Sequence, residues 1–559
     1  MKMKKLLASM LIMIMSISLL VACGTKDNSD NGSNDNNSNT GTNTGVENPY
    51  PGTNGENEIT VNIQSEPPEL FSVVSTDATS FTVFRHVLEN LVMLDENDRV
   101  IEGVAKDWTI SDDGLVYTFE LREGMKWSNG EPVTAHDFVF AWKALLTPEF
   151  AAEYANFGYV FKNGAAYNRG EASADELGFK ALNDYTLEVT LENPTAYFLE
   201  MLSFGVFAPV NEKAYNQFGE AYGTDADKMV YNGAFVMESW EHENKIVLAK
   251  NPDYFNADKI EVEKIHMVMI NEANAAMNAF KTGEVDVISI NGEQREMMKG
   301  ENYPIHNYDD GSSWYFEFNL NDEYLKNANL RKAITYAVDK QIFADAILRN
   351  DSKPATSYTP PAITNIDPLF QVQVGELVPT VDVEKAKEYY ALALEELGVD
   401  SVNLTMLADD SDAAVLNAAF VQEQLRVNLG IELKVENMPF KSRLERMTNK
   451  DFQIVMAGWG PDYNDPMTFL DVWESTNGNN HTSYANPEYD ELLDKARKEL
   501  DTAKRTQYLI DAERMLMEDM PIGPLYWRVR DYIVSGKIES GVIRSAFQDM
   551  NYRFVKLAK

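Results

Sequence analysis

The stretch 401–457, SVNLTMLADDSDAAVLNAAFVQEQLRVNLGIELKVENMPFKSRLERMTNKDFQIVMA, decides the fold class. Val402 to Leu407 is a short apolar run of strand length. Asp412 to Leu429 carries apolar residues at helical spacing and stops at Gly430, the residue type that most easily takes the left-handed end of a helix. A second strand is predicted over 431–435, a short helix over 440–447 and a third strand over 452–457. Apolar strands alternating with helices predict an α/β fold with a largely parallel sheet covered on both faces. Ligands of such sheets sit beyond the carboxyl ends of the strands.

The run AGWGPDYNDP, Ala457 to Pro466, begins at such an end. Gly, Pro, Asn and Asp are also the ordinary punctuation of a surface turn, so composition leaves a plain turn and a ligand loop both open. Elsewhere, Ile59, Val61 and Ile63 alternate as a strand does, as do Tyr117–Leu121 and Thr186–Leu191. Trp127-Ser128-Asn129-Gly130 reads as a turn. Thr134 followed three residues on by Asp137 reads as a helix start of capping-box type. A helix over Val383–Leu397, closed by Gly398, has a stripe of Ala386, Tyr389, Tyr390, Ala393, Leu394 and Leu397 that marks a core-facing side. The run Asp409-Asp410-Ser411-Asp412 lacks the glycine and terminal glutamate of a calcium loop and instead caps the helix that follows it.

The chain has 559 residues, past the size at which one core stops growing, so two or three domains are expected. A hydrophobic content of 44% suits packed domains, and a formal charge of −39 excludes the clustered basic footprint of a nucleic-acid binder. The N-terminus has its own logic. Met1–Lys5 is basic, Leu6–Leu20 is apolar but too short to span a bilayer, and Leu20-Val21-Ala22-Cys23-Gly24 follows. This resembles a bacterial lipoprotein signal peptide cleaved before a diacylated Cys23, which is the chain's one cysteine. Two acyl chains give stable anchoring, so residues 1–22 are read as leader and Cys23 as the membrane attachment. Residues 24–58 hold 10 asparagines and 6 glycines and can bury no core. They read as a disordered tether, about 30–35 Å long on average by the square-root scaling of Gly-rich chains. The mature protein is expected on the outer face of a cell membrane, in a cell without an outer membrane.

Signals for chemistry are sparse. No nucleophile elbow, Walker loop or H-E-x-x-H occurs. His86, His136, His242, His266, His306 and His481 form no metal-ligand spacing. With no cofactor or metal expected, binding is the preferred class; a surface hydrolase using paired carboxylates is the alternative that 88 acidic residues leave open.

Six segments then carry a resemblance: SEPPEL from Ser65, VIEGVAKDWTISDDGLVYTFELREGMKWSNGEPVTAHDFVFAWK from Val100, DYTLEVTLENPTAYF from Asp184, YNGAFVMESWEHENKIVLAKNPDYF from Tyr231, LRKAITYAVDK from Leu330 and AGWGPDYNDPMTFL from Ala457. In order over about 500 residues, they resemble the family 5 extracellular solute-binding proteins, the oligopeptide- and dipeptide-binding lipoproteins of ABC importers. The resemblance implies a three-domain, two-lobed hinge fold with a cleft between the lobes. Domain I would comprise 59–88, 211–311 and 527–559, domain II 89–210 and domain III 312–526. It also implies a monomer that hands an oligopeptide to a permease driven by cytoplasmic ATPases. A signalling peptide, a sugar or a metal chelate is the alternative ligand.

By the same resemblance Asp462 pairs with the α-ammonium of the peptide, Gly458 and Gly460 allow close backbone approach, and Trp459 forms a pocket wall. Tyr231, Asn232, Gly233, Trp314, Tyr315, Tyr526 and Trp527 match other cleft-lining segments. Members that prefer very short peptides hold the C-terminal carboxylate with basic residues where this chain has Met456 and Ala414, so longer peptides or another register are expected.

Overall fold

The computed structural model describes residues 50, 55, 57–363 and 370–559. The stretch read as a leader, Cys23 and most of the stretch read as a tether lie outside the described residues. Tyr50 and Glu58, both placed in the tether by composition, belong to the folded part. Tyr50 packs its ring against Phe280 and Tyr303 and donates to Glu301 at 2.7 Å, and Glu58 opens the first strand opposite Lys264.

The fold turns on an eleven-stranded sheet. Its order is Leu433–Met438, Leu404–Asp409, Ile454–Trp459, His306–Phe318, Ile522–Val534, Val287–Ile290, Glu58–Asn62, Lys264–Val268, Lys245–Lys250 and Phe235–Glu241, with Lys353–Pro354 beside Ile522–Val534. The expected parallel pairing holds around Leu404–Asp409, which is parallel to both neighbours. The sheet as a whole is mixed, which corrects the expectation of a largely parallel one. Hairpin Phe235–Lys250 is antiparallel, and so are all the pairings of the two 13-residue strands at the centre. Those pairings join segments far apart in sequence, where local alternation of strand and helix says nothing.

The two long strands belong to both halves of the sheet. At one end His306–Tyr308 lies opposite Arg530–Tyr532 beside Val287–Ile290; at the other, Trp314–Glu317 lies opposite Ile522–Tyr526 beside Ile454–Trp459. Between them the register breaks from Asp309 to Ser313, and Gly311 there has φ +67°, which a glycine adopts without strain.

Helix Asp412–Leu429 has the predicted bounds, with Ser411 as its N-cap and Gly430 in the left-handed region. It buries Ala418, Val421 and Leu425 on the strand residues Leu404, Met406 and Ile454. The strands begin two residues later, and end two or three later, than the apolar runs suggest. Val402, Ile431 and Phe452 are buried but lie ahead of the ladder, while Asp409, Met438 and Trp459 pair or extend it at the far end. Apolarity marks what is buried, and pairing does not require it. Helix Val383–Leu397 buries Ala386 and Ala393 fully and leans Tyr390, Leu394 and Leu397 on the same core.

A second, four-stranded sheet runs Ala105–Ile110, Val116–Leu121, Thr186–Thr190, Phe179–Asn183. Helix Ala135–Leu146 packs on it, started by the predicted capping box: Asp137 accepts from the Thr134 backbone N–H at 2.7 Å. The segment 148–207 that follows contributes the aromatic side chains that meet the site. No helix among the described residues is long and apolar enough to cross a membrane.

Candidate functional site: a carboxylate at the end of a central strand

Strand Ile454–Trp459 is paired with His306–Phe318 along its whole length, up to Trp459 opposite Ser313. On its other side the ladder with Leu404–Asp409 stops at Val455. The outer edge of Met456–Trp459 is therefore unpaired among the described strands, a ready place for an added extended chain. Gly458 is exposed on this edge, and a Cβ there would come within 2.7 Å of the Trp314 indole. The absence of a side chain leaves room for the Trp314 ring. Gly460 is also exposed and lies near Ser312.

The loop after this strand gives each of its bulky residues a task. Trp459 donates its indole N–H to the Thr468 carbonyl at 2.9 Å. Tyr463 is buried, stacked on Tyr197 at 4.8 Å with planes 3° apart and edge-on to Phe157. Asp465, 0% exposed, accepts two bonds from Arg505 at 2.8 Å each, and Arg505 lies over the Tyr197 ring at 5.4 Å. Charge-assisted bidentate pairs of this kind fix geometry as well as energy.

Asp462 is treated differently. It is partly buried, and its carboxylate is approached by the Tyr154 hydroxyl at 3.4 Å from each oxygen and by the Thr468 hydroxyl at 3.5 Å. Among the described residues it makes no ion pair, so nothing cationic compensates it within salt-bridge distance. Burial pushes its carboxyl well above the usual range, and the negative charge of Asp471 adds to this against the hydrogen bonds from Tyr154 and Thr468. Asp471 itself is pushed up to about 7 by burial, over the opposing pull of Arg497. Two acids in one poorly hydrated place, one of them unpaired, are costly unless a cation arrives. A crevice lined by Phe81, Phe84, Arg85 and Phe204 leads to Asp462.

The structure thus gathers Asp462, Trp459, Gly458, Gly460, Trp314 and Tyr526. Trp314 lies beside Gly458, parallel to Tyr526 at 5.8 Å, with the Arg528 guanidinium 5.1 Å from its ring and its own indole N–H without a hydrogen-bond partner among the described residues. Trp527 follows Tyr526 on the strand, opposite Ser313, and is buried. Tyr315 is placed apart. Next to Trp314 on a strand, it points to the opposite face, 2% exposed, between Tyr358 and Trp473. Tyr231, Asn232 and Gly233 stand at a joint in the backbone. Asn232 holds both the N–H and the carbonyl of Glu89 at 3.0 Å, and a Cβ on Gly233 would come within 2.5 Å of the Val87 backbone. Tyr154, Asp471 and Thr468 were not legible beforehand. Tyr154 lies in a short helical stretch with no periodic pattern, and only the approach of segment 148–207 to the loop brings it to Asp462.

The family described as bacterial extracellular solute-binding proteins, family 5 Middle, matches residues 99–481. The oligopeptide-binding protein OppA of Bacillus subtilis is 33% identical over 99% of both chains. Among solved structures, Listeria monocytogenes OppA bound to peptide is 34% identical, covers 90% of this chain and all of its own, and has a TM-score of 0.86. The Escherichia coli murein tripeptide binding protein MppA, 27% identical over 90% of this chain and 98% of its own, has a TM-score of 0.83. Its unliganded open form, covering 91% and 98%, scores 0.59. The two-lobed hinge fold expected from the sequence is that of these neighbours. A covered sheet crossed by two long strands, an open strand edge and a matching family over most of its length together place the chain among the family 5 bacterial extracellular solute-binding proteins.

Proposed function

We propose that this protein captures oligopeptides outside the cytoplasm and delivers them to an ABC importer, without turning them over. The observation that carries this reading is Asp462, a partly buried carboxylate that has no cationic partner among the described residues, at the end of a strand whose outer edge is unpaired among them. A peptide supplies both missing parts, an ammonium group for the acid and main-chain N–H and C=O groups for the edge. The names of the relatives support it, as does the greater likeness to the peptide-bound neighbour than to the unliganded open form. The lobes are read as shut on one another: Tyr154, Phe157 and Tyr197 touch the loop 457–466, and Asn271 donates to Asp410 at 3.0 Å.

The hinge of this reading lies at Gly311/Ser312, inside the register break between Asp309 and Ser313, and at Tyr526/Trp527 on the partner strand, with domain I at 59–88, 211–311 and 527–559, domain II at 89–210 and domain III at 312–526. Attachment to the membrane through lipidated Cys23, on the surface of a Gram-positive cell, belongs to the same proposal, as does action as a monomer with a permease and its ATPases. Mass spectrometry of ligands carried through native purification tests it: peptides are expected, and a sugar or metal chelate as the retained species would contradict it. Small-angle scattering should show a smaller radius of gyration when peptide is added to protein stripped of ligand, because a ligand shifts a hinge only by preferring the shut state. An unchanged radius would count against hinge capture.

Met456 is buried in the core of its sheet half and Ala414 sits in the first turn of a helix, so neither place offers a cation to a peptide's C-terminus. Amidating the C-terminus of matched peptides of about three to eight residues should change the dissociation constant by less than about threefold, since that carboxylate is left in solvent. A loss of tenfold or more by calorimetry would require a C-terminal clamp elsewhere.

A further inference from the structure

Glu153 opens the short helical stretch Glu153–Val160 and is seated against residues far along the chain. Its carboxylate accepts from the Thr448 hydroxyl at 2.9 Å, and its carbonyl accepts from the Asn479 amide at 3.4 Å. Gly478 lies so close that a Cβ on it would come within 2.5 Å of Glu153 Cα. Beyond Glu153 stands His481, with Nε2 3.6 Å from Glu153 Oε2 and Nδ1 3.4 Å from Glu317 Oε1. His481 is 8% exposed and Glu317 1%. Glu317 lies on the central strand His306–Phe318, so the imidazole stands between an acid of segment 148–207 and an acid of the sheet half that carries Asp462. Among the described residues His481 Nε2 and Glu317 Oε1 have no hydrogen-bond partner, so charge rather than a well-aligned bond relates these groups. A neutral imidazole has one N–H and leaves one of the two carboxylates unserved; the imidazolium has one N–H for each.

We propose that His481 is a positioning residue that couples closure of the two lobes, and with it ligand affinity, to the uptake of one proton. This rests on the peptide-receptor reading above. The charged groups facing the imidazole are Glu153 from the helical stretch and Glu317 from the strand. The loop 477–482 adds Asn479 and the helix Phe440–Thr448 adds Thr448, neither of which titrates. One layer out, Glu69 and Tyr154 face Glu153, and Arg443 and Glu317 act on Tyr315.

The sign follows from the two states. In the shut form burial alone would lower the imidazole's pKa, but Glu153 and Glu317 outweigh it and hold it at about 9. Opening carries Glu153 away while Glu317, on the same side of the cleft as His481, stays, so the group returns only part of the way toward its ordinary value near about 6.5. The contribution to closure is therefore full below about 6.5 and is lost as pH rises through about 9.

The test is the affinity of wild type and of His481→Gln for one peptide at pH 6.5 and pH 9. Titration of the peptide's amine, of Asp462 and of Asp471 is common to both proteins and cancels in the ratio of the two affinities. That ratio is expected to fall about tenfold between the two pH values, and Glu153→Gln should give the same slope against wild type. A ratio constant within about twofold for both variants would overturn the proposal while leaving peptide capture intact. Scattering from ligand-free protein over the same range decides the matter if no peptide binds or if His481→Gln does not fold. Wild type should expand as pH rises and Glu153→Gln should not, and equal behaviour of the two would overturn it as well.

Discussion

Replacing Asp462 by alanine is expected to weaken binding of a peptide with a free amino terminus by about 3–5 kcal/mol, or about two to three and a half powers of ten, because it strips the partner from a buried ammonium. Calorimetry or competition with a fluorescent peptide reads this directly, and a loss below about fivefold would remove Asp462 from the account. The ligand-free protein should behave in the opposite way. Whenever the lobes shut as they are here without a guest, Asp462 makes no ion pair among the described residues, and burial and the Asp471 charge raise its pKa. A carboxyl whose folded pKa lies above its unfolded value costs stability at pH values above the unfolded one, and the cost vanishes as pH falls below it. Asp462→Asn should therefore raise the melting temperature of ligand-free protein at pH 7.5 and leave it unchanged at pH 4, a gain in stability at the expense of function.

Asp465, three residues on, should give the reverse. It is fully buried, doubly bonded to Arg505 and also accepts from the Met467 backbone N–H at 3.0 Å. Alanine at 465 leaves Arg505 without its counter-charge beside the Tyr197 ring, and the expected cost is about 3–5 kcal/mol in unfolding free energy. Peptide affinity should fall too, because the loop that aims Asp462 loses its anchor. A change in stability below about 1 kcal/mol would show that the pair is dispensable. The contrast is the point: two aspartates of one decapeptide, one satisfied inside the protein and one left for a guest.

The sequence reveals where elements lie better than how they join. Helix Asp412–Leu429 could be drawn to the residue, because Ser411 and Gly430 end it chemically. The three strands around it were legible as buried segments, with bounds displaced by two or three residues. The antiparallel pairing of Ile454–Trp459 with His306–Phe318 was not legible, since the partners are more than a hundred residues apart and no local pattern records the choice.

Trp314 and Tyr315 teach a narrower lesson. Adjacent strand residues face opposite ways, so a strand that brings Trp314 to Gly458 must send Tyr315 into the core. That much follows from the period of two, once the segment is known to be a strand. Asp462 was found by resemblance, but its unpaired state, which gives it meaning, is a property of the packed structure. Tyr154 and His481 enter only because segment 148–207 is folded against the loop and its neighbours.

The most direct measurement is calorimetry of one peptide in two forms, with its amino terminus free and with it acetylated, against the ligand-stripped protein at pH 7. The account predicts tight binding of the free form and a loss of at least about a hundredfold on acetylation, since a buried acid then faces a neutral amide. Equal affinity for the two forms would contradict it.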